Sequence, residues 1–310
     1  MVEADRRRYL RRRPVGAGVI RVLITGGNGQ VGRSIAELAT DQRFGSLDIT
    51  VADRSTVDIT DQAGLGAVFD RLQPDVVINA AAYTSVDAAE SDEAAATAVN
   101  TGGVGSLANL CAANDARLLH LSTDYVFDGT KDGWYVESDP IAPLGVYGRT
   151  KAAGEAAAQA CPAHLILRTS WVYSAHGDNF VRTMLRIGAE HPELGVVDDQ
   201  VGCPTSAHDI AEAVLHLSSL DANGTYHLAG ADQASWHEFA VAIFAAADLA
   251  TTANPISTAD FPTPAPRPAN SRLDSSALAD ATGVRLPSWR DSLSGVVSAI
   301  LDTDQLRTSS

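Results

Sequence analysis

The sequence predicts an α/β fold, a Rossmann-type doubly wound parallel sheet with a smaller, mixed α/β C-terminal substrate domain. Three observations carry that expectation. A β-rich run, Val19 to Thr25, ends in G-G-N-G-Q-V-G and passes straight into the helical pattern R-S-I-A-E-L-A. Apolar strand-like runs then alternate with helical patterns over about 150 residues, the sign of parallel strands joined by crossover helices. Beyond Lys151 the register changes to shorter strands, loops and amphipathic helices. The expected division is a basic N-terminal arm over 1–18, a dinucleotide-binding domain over 19–168 plus about 196–219, and a substrate domain over about 169–195 plus 220–302.

The glycine run follows a strand and opens a helix, which is the context that makes such a motif a dinucleotide site. Gly26 makes the tight turn, Gly29 admits a pyrophosphate to the backbone, and Gly32 allows close helix packing. Asn28, Gln30 and Val31 lie between them, where the helix N-terminus offers free N–H groups to phosphate. Asp53 ends the next apolar run and suits the adenosine ribose hydroxyls of NADH; Arg54 beside it suits the 2′-phosphate of NADPH. Val57 to Asp61, with Asp58 and Ile59, reads as a loop over the adenine, followed by a helix to Leu72. Asp75 to Asn79 is a buried strand ending at Ala81, Ala82, Tyr83 and Thr84, where small residues suit passage of a cofactor. One Ala-rich helix is expected from Glu90 to Asn114, and it contains Asn100. Downstream come a strand at Leu165 to Ser170, a helix at Val181 to Glu190, and a strand and loop through V-V-D-D-Q-V-G-C-P-T. A helix over Asp209 to Leu217, a strand over Gly224 to Ala229 and a helix over Trp236 to Ala247 follow. Asn254 to Ser271 reads as an ordered Pro-rich binding loop, and Trp289 to Leu301 as a closing helix.

Composition narrows the classes. With 310 residues and 45% apolar content the chain is long enough for a substantial core. A net charge of −15 argues against a nucleic-acid surface. Without a run of eighteen apolar residues no membrane span is expected. Cys111, Cys161 and Cys203 are scattered, with no disulfide framework or metal-ligand spacing, so a reducing compartment and no metal are expected. The Arg-rich start lacks an apolar segment after it and reads as a mobile arm or an upstream start rather than an address. The expected location is cytoplasmic.

Leu118 to Lys151 holds the chemistry. Leu118 to Leu121 is a short strand running into Ser122-Thr123-Asp124, and Tyr147 and Lys151 then lie four apart on one helix face. Lysines are only two in the chain, so the pairing is informative. A tyrosine is a proton donor at neutral pH, and a fixed ammonium nearby is expected to lower its pKa toward the working range. Thr123 is expected to hold the substrate oxygen for protonation by Tyr147. Leu121 flanks this pair on the cofactor side.

Eight motifs then fall in order: G-G-N-G-Q-V-G-R, N-A-A-A-Y-T-x-V-D-x-A-E, L-S-T-D-Y-V-F-D-G, Y-G-R-T-K-x-A-G-E, R-T-S-W-V-Y, N-F-V-x-T-M-L, D-D-Q-x-G-x-P-T and R-P-A-N-S-R-L. From about Arg21 to Leu301 the chain resembles the dTDP-4-dehydrorhamnose reductase family, within the extended short-chain dehydrogenases/reductases. The resemblance implies NADPH- or NADH-dependent reduction of the 4-keto group of dTDP-4-dehydro-6-deoxy-L-mannose, the last step of dTDP-L-rhamnose synthesis for cell-wall or surface polysaccharide. It implies Tyr147 as proton donor, Lys151 as the residue that tunes it and holds the nicotinamide ribose, and Thr123 with Asp124 on the sugar. It further implies Trp171 and Asn179 at the deoxysugar, with core packing as the other reading of Trp171. Arg267 and Arg272 are diphosphate ligands or loop anchors. Asn100 matches the superfamily asparagine that braces the catalytic strand. Some members hold Mg²⁺ through a glutamate just after the P-T loop, where this chain has His208 and then Asp209, so no metal is implied. A monomer or homodimer is expected.

Related classes fit less well. A 4,6-dehydratase needs Asp-Glu after the catalytic threonine, whereas Asp124 is followed by Tyr125. A 4-epimerase has Ser-Ser-x-x-V-Y-G at this strand end. A regulatory subunit that binds a dinucleotide without turnover has no need of an intact Thr123, Tyr147 and Lys151.

Overall fold

The computed structural model describes residues 18–308; the expected basic arm lies outside them up to residue 17. Among the described residues six strands form the main sheet: β1 (Ile20–Thr25), β2 (Leu47–Val51), β3 (Val76–Asn79), β4 (Arg117–Thr123), β5 (His164–Thr169) and β6 (Gly224–His227). Their spatial order is β6-β5-β4-β3-β1-β2, and every neighbouring pair is parallel. The order reverses direction between β1 and β3, and such a switch leaves a crevice outside the carboxyl ends of the strands.

Alternation along the strands builds two cores. Val22 and Ile24 of β1 point to one face with Leu119 of β4 and Leu165 and Leu167 of β5, where Ile35 and Leu38 of α1 (Gln30–Leu38) pack on them. Leu23, Val77, Leu118 and Ile166 point to the other face. There they meet Leu65 and Phe69 of α2 (Gln62–Leu72). Strands buried on both faces need helices on both faces, which explains the nearly continuous apolar runs in the sequence.

The expected single helix from Glu90 to Asn114 is broken. A four-residue turn α3 (Val86–Ala89) comes first, then α4 (Glu93–Thr97), a π-helical stretch over Ala98–Gly103, and α5 (Val104–Ala113). Asp92 starts α4 by accepting from the Ala95 N–H, and a π-bulge of this kind re-aims a side chain at a functional site. Here it aims Asn100. The Tyr147 helix, α6 (Val146–Ala158), forms as expected.

A third core joins α7 (Phe180–Glu190), α9 (Trp236–Ala246) and α11 (Trp289–Thr308) through Tyr173, Val181, Phe239, Trp289 and Val297. Between them in sequence, α8 (Ala207–Ser218) packs on the α1 face of the main sheet, and α10 (Ser276–Thr282) buries Leu278 in the same core. Two elements depart from expectation. Gly224–His227, assigned from sequence to the substrate domain, pairs with β5 and belongs to the main sheet. The start of the Pro-rich loop, Thr252–Ile256, is a strand paired with Glu193–Val197; Pro255 is tolerated because this pair has only two strands, both of them edges. No helix among the described residues is long and apolar enough to cross a membrane.

Candidate active site

The glycine turn sits at the switch point. Gly26 has φ +77, and a Cβ on it would lie 2.5 Å from the Ala81 nitrogen. A Cβ on Gly32 would lie 2.3 Å from the Gly26 carbonyl oxygen, so the helix can reach the turn only without a side chain there. α1 starts at Gln30 after Gly29, with no side chain capping its first turn. Its first N–H groups thus keep their partial positive charge for an anion. Val31 and Ile59 bury their side chains in the core, leaving only their backbone to the crevice. Gln30 reaches across to the other lobe, its amide nitrogen donating to the Val172 carbonyl and its oxygen accepting from the Ser174 hydroxyl.

At the end of β2, Asp53 accepts from the Ser55 and Thr56 N–H groups and the Ser55 hydroxyl. The Ser55 hydroxyl chiefly holds its carboxyl below the usual range, and Asn28 donates to its other oxygen at 3.2 Å. Arg54 points outward and pairs with Asp58 at 3.2 Å. Following β3, the Ala81 backbone passes close to the turn at Gly26, Ala82 is half-buried, Tyr83 packs beside Tyr147, and Thr84 is exposed. Asn100 accepts from the Tyr83 N–H at 2.8 Å and donates to the Tyr83 carbonyl and the Thr150 hydroxyl. It therefore braces the loop after β3 against α6, rather than the catalytic strand β4.

At the end of β4 the expected residues come together. The Thr123 hydroxyl donates to Asp124 Oδ1 at 2.9 Å and accepts from the Tyr125 N–H. Tyr147 lies on the first turn of α6, buried, with its ring edge-on to Tyr125 at 5.4 Å. Burial pushes its hydroxyl up to about 12; the facing Thr123 hydroxyl opposes the rise and the Asp124 charge adds to it. The expected lowering by Lys151 is not seen. The Lys151 ammonium instead donates to the Leu121 carbonyl at 2.6 Å, and burial draws it down to about 8 against the pull of Glu155. One of its three protons is engaged there, leaving two for a further acceptor. Burial raises the Asp124 carboxyl to about 6, limited by the Ser271 and Thr123 hydroxyls.

The proposed sugar-side residues divide. Trp171, at φ +47, stacks on Trp236 with centroids 3.4 Å apart, and a Cβ on Gly202 would lie 2.4 Å from its ring. One face is packed on Trp236, and the ring as a whole is half-buried. Asn179 caps α7 by accepting from the Arg182 N–H, and its amide nitrogen donates to the Ser174 and His176 carbonyls, which is loop fastening. Arg267 makes a bidentate ion pair with Asp87 at 2.9 and 2.8 Å. Arg272 donates to Asn270 at 2.8 Å and to Gln233 at 3.1 Å. Of the two readings for these arginines, loop anchoring is the one their hydrogen bonds describe.

A glycine crevice at a switch point, uncapped helical N–H groups and a buried ammonium with spare protons fit a dinucleotide. The comparisons with known proteins agree. The family described as RmlD substrate binding domain matches residues 20–301. A dTDP-4-dehydrorhamnose reductase of Sinorhizobium fredii is 44% identical over 294 residues, covering 91% of this chain and 98% of that protein. The chain belongs to the dTDP-4-dehydrorhamnose reductase family. The enzyme of that name from Escherichia coli K12 is 37% identical, covering 91% of this chain and 98% of its own. A crystal structure of the Clostridium acetobutylicum reductase superposes with a TM-score of 0.87 at 37% identity, over 91% of this chain and 100% of that one. The Bacillus anthracis reductase, solved in complex with NADP, gives 0.85 at 36% identity, over 89% and 98%.

Four residues of this family member escaped the sequence reading. Glu155 and Arg168 form a buried bidentate pair beneath the Tyr147 helix, and the Ser122 hydroxyl donates to the same carboxylate. The E of Y-G-R-T-K-x-A-G-E and the R of R-T-S-W-V-Y were the available signals. Asn270 ties the R-P-A-N-S-R-L loop to the Lys131 and Gly133 carbonyls, at 2.7 Å each. Arg117, at the start of β4, donates to the Leu217, Leu220 and Ala222 carbonyls at the end of α8; no local pattern announced it.

Proposed function

We propose that this chain catalyses the NAD(P)H-dependent reduction of the 4-keto group of dTDP-4-dehydro-6-deoxy-L-mannose to dTDP-L-rhamnose, as a cytoplasmic monomer or homodimer. The observation that carries the reading is the meeting of Thr123, Tyr147 and Lys151 at the end of β4, beside a glycine crevice. The named relatives across nearly the whole chain support the substrate class.

In this reading the cofactor lies along Gly26–Gly32, Asp53 and Ala81–Thr84, and Lys151 turns its free protons to the nicotinamide ribose. When bound, the nicotinamide supplies the hydride to the sugar carbonyl carbon. Tyr147, held protonated by burial, gives its proton to the carbonyl oxygen as that oxygen gains charge. Thr123 orients that oxygen by turning to it the hydroxyl proton that it otherwise donates to Asp124. The tyrosinate left behind regains its proton from solvent, and burial, which raises the Tyr147 hydroxyl, favours that return. The main sheet, with β6 included, holds the cofactor, and the lobe built on the third core, with Trp171 at its edge, holds the sugar nucleotide.

The test is loss of absorbance at the reduced-nicotinamide band, with NADPH and NADH offered separately. The keto-sugar is made in situ from dTDP-glucose by purified dehydratase and epimerase. Oxidation that needs both coupling enzymes supports the reductase and names its cofactor. Absent oxidation, with nucleotide still raising the melting temperature, would favour a binding subunit instead.

A further inference from the structure

The short segment after the cofactor loop makes three long-range attachments. Asp87 Oδ1 accepts from the Ala265 N–H at 3.1 Å and from Arg267 Nη1 at 2.9 Å, while Oδ2 accepts from Nη2 at 2.8 Å. Arg267 Nη1 also donates to the Ala265 carbonyl at 3.0 Å, so one carboxylate closes the A-P-R turn of the Pro-rich loop from both ends. Three residues on, Glu90 Oε1 accepts from the Val146 N–H at 2.7 Å. That N–H opens α6, whose N-terminal residue Gly145 offers no side-chain cap. A Cβ on Gly145 would lie 2.5 Å from the same Glu90 oxygen, so a side chain there would push the Glu90 carboxylate aside. Ala89, Val146 and Tyr147 share one small apolar cluster, with Tyr83, Val86 and Tyr125 packed against it.

Two further facts connect this segment to the reaction. The Asp87 and Arg267 charges both act on Tyr125, whose ring packs edge-on against Tyr147. An Arg267 guanidinium already bidentate to a carboxylate presents no net charge to a diphosphate, and an approaching diphosphate would meet Asp87 as well.

We propose that Asp87 and Arg267 form a clamp that positions the Pro-rich loop over the nucleotide-sugar site, Arg267 acting as a positioning residue rather than a diphosphate ligand. This rests on the reductase reading for the identity of the sugar nucleotide. Because Val86–Glu90 directly follows the loop at Ala81–Thr84 and fixes the start of the Tyr147 helix, the clamp registers the sugar-side loop against the reacting groups. Losing it loosens substrate binding without altering the proton donor.

The experiment is a double-mutant cycle on the full chain: Asp87→Ala, Arg267→Ala and the pair, with Asp87→Asn and Arg267→Lys as gentler versions. Calorimetric titration with dTDP at saturating NADPH is the first readout. KM and kcat for the keto-sugar are the second. Each alanine variant is expected to weaken dTDP by about tenfold and raise KM similarly, with kcat and NADPH affinity within about twofold. The double variant should match either single. Multiplying effects in the double variant would mean that Arg267 meets the nucleotide directly, and would overturn the clamp. So would unchanged dTDP affinity in both Asp87→Ala and Asp87→Asn, or a drop in kcat with KM unmoved. A wild-type protein that fails to turn over the keto-sugar would remove the reductase reading, and the dTDP cycle would still judge the clamp.

Discussion

Glu155 and Arg168 form a fork-to-fork ion pair directly under the candidate active site, Arg168 Nε and Nη2 lying 2.9 and 2.8 Å from the two carboxylate oxygens, with both side chains 4% exposed. Glu155 is one helical turn beyond Lys151, and Arg168 neighbours Ser122 across the β4–β5 pair. The pair thus joins the helix that carries Tyr147 to the strand that carries Thr123. Removing one partner strands a buried charge, so Glu155→Gln should cost about 3–5 kcal/mol in urea unfolding. Replacing both residues by methionine should recover part of that loss, because no buried charge is then left unpaired, although the Ser122 hydroxyl loses its acceptor. A single variant as stable as wild type would show that the pair contributes no net stability.

Tyr147→Phe removes the proposed proton donor while leaving the ring in its cluster with Val146 and Ala89. Turnover should fall by about 10²–10⁴-fold. Cofactor affinity, measured by quenching of protein fluorescence, should stay within about twofold. Turnover near the wild-type rate would take Tyr147 out of the mechanism.

Lys151 gives the pH dependence. Burial lowers its ammonium from 10.5 to about 8, so the charge is present below pH 8 and is lost above it. The NADPH dissociation constant of the free protein should therefore rise as pH passes through 8, and Lys151→Arg should flatten that rise. The stability sign is the reverse. Folding penalises the charged form, so the penalty is full below pH 8 and disappears as pH climbs from 8 to 10.5. An NADPH affinity constant between pH 7 and 9.5 would contradict a role for the ammonium in holding cofactor.

The main frame was legible because its signals are local. The glycine turn, the alternating β4 run and the Tyr147–Lys151 spacing each follow from the period of one element. What escaped depends on distant partners. Gly224–His227 looks like any short strand, and only its pairing with Leu165 to Arg168 puts it in the main sheet. The Ala-rich stretch hid its break behind a continuous helical pattern, although Asn100, Gly102 and Gly103 are weak helix formers; the π-turn at Asn100 follows from contacts with Tyr83 and Thr150. Sequence also leaves polar side chains ambiguous: Asn179 reads as a ligand, and Arg267 and Arg272 as ligands or anchors, until their partners within the protein are seen. The expected tuning of Tyr147 by Lys151 failed for a related reason, because the ammonium is turned to the Leu121 carbonyl and burial raises the Tyr147 hydroxyl.

Cofactor choice is expected to turn on Asp53 and Arg54. The Asp53 carboxyl is held by Ser55, Thr56 and Asn28 at the end of β2, whereas Arg54 is 82% exposed and leans to Asp58. A fixed carboxylate repels a 2′-phosphate more than a mobile, partly compensated guanidinium attracts it. Asp53→Ala should thus raise the NADPH-to-NADH ratio of kcat/KM by about tenfold. Arg54→Ala should lower it by less. A ratio unmoved by Asp53→Ala would put the ribose elsewhere.

Trp171 tests whether a packed ring also recognises the sugar. Its stack on Trp236 covers one face, and its ring passes close to Gly202, so a ligand would meet only part of a half-buried ring. Truncation to alanine removes a large half-buried ring, so Trp171→Ala should lose about 2–4 kcal/mol of stability whichever role holds. The roles separate in kinetics at a temperature where the variant is folded. A ring contact made with the sugar predicts a KM for the keto-sugar raised about tenfold, with NADPH affinity within about twofold. Packing alone predicts that both affinities fall together, because the loop after β5 carries the Val172 carbonyl that Gln30 of α1 holds at 3.4 Å. Trp236→Ala sharpens the comparison: it frees one face of Trp171 without deleting the ring. Its KM should therefore rise less than that of Trp171→Ala. Equal KM values in the two variants would assign Trp171 to packing.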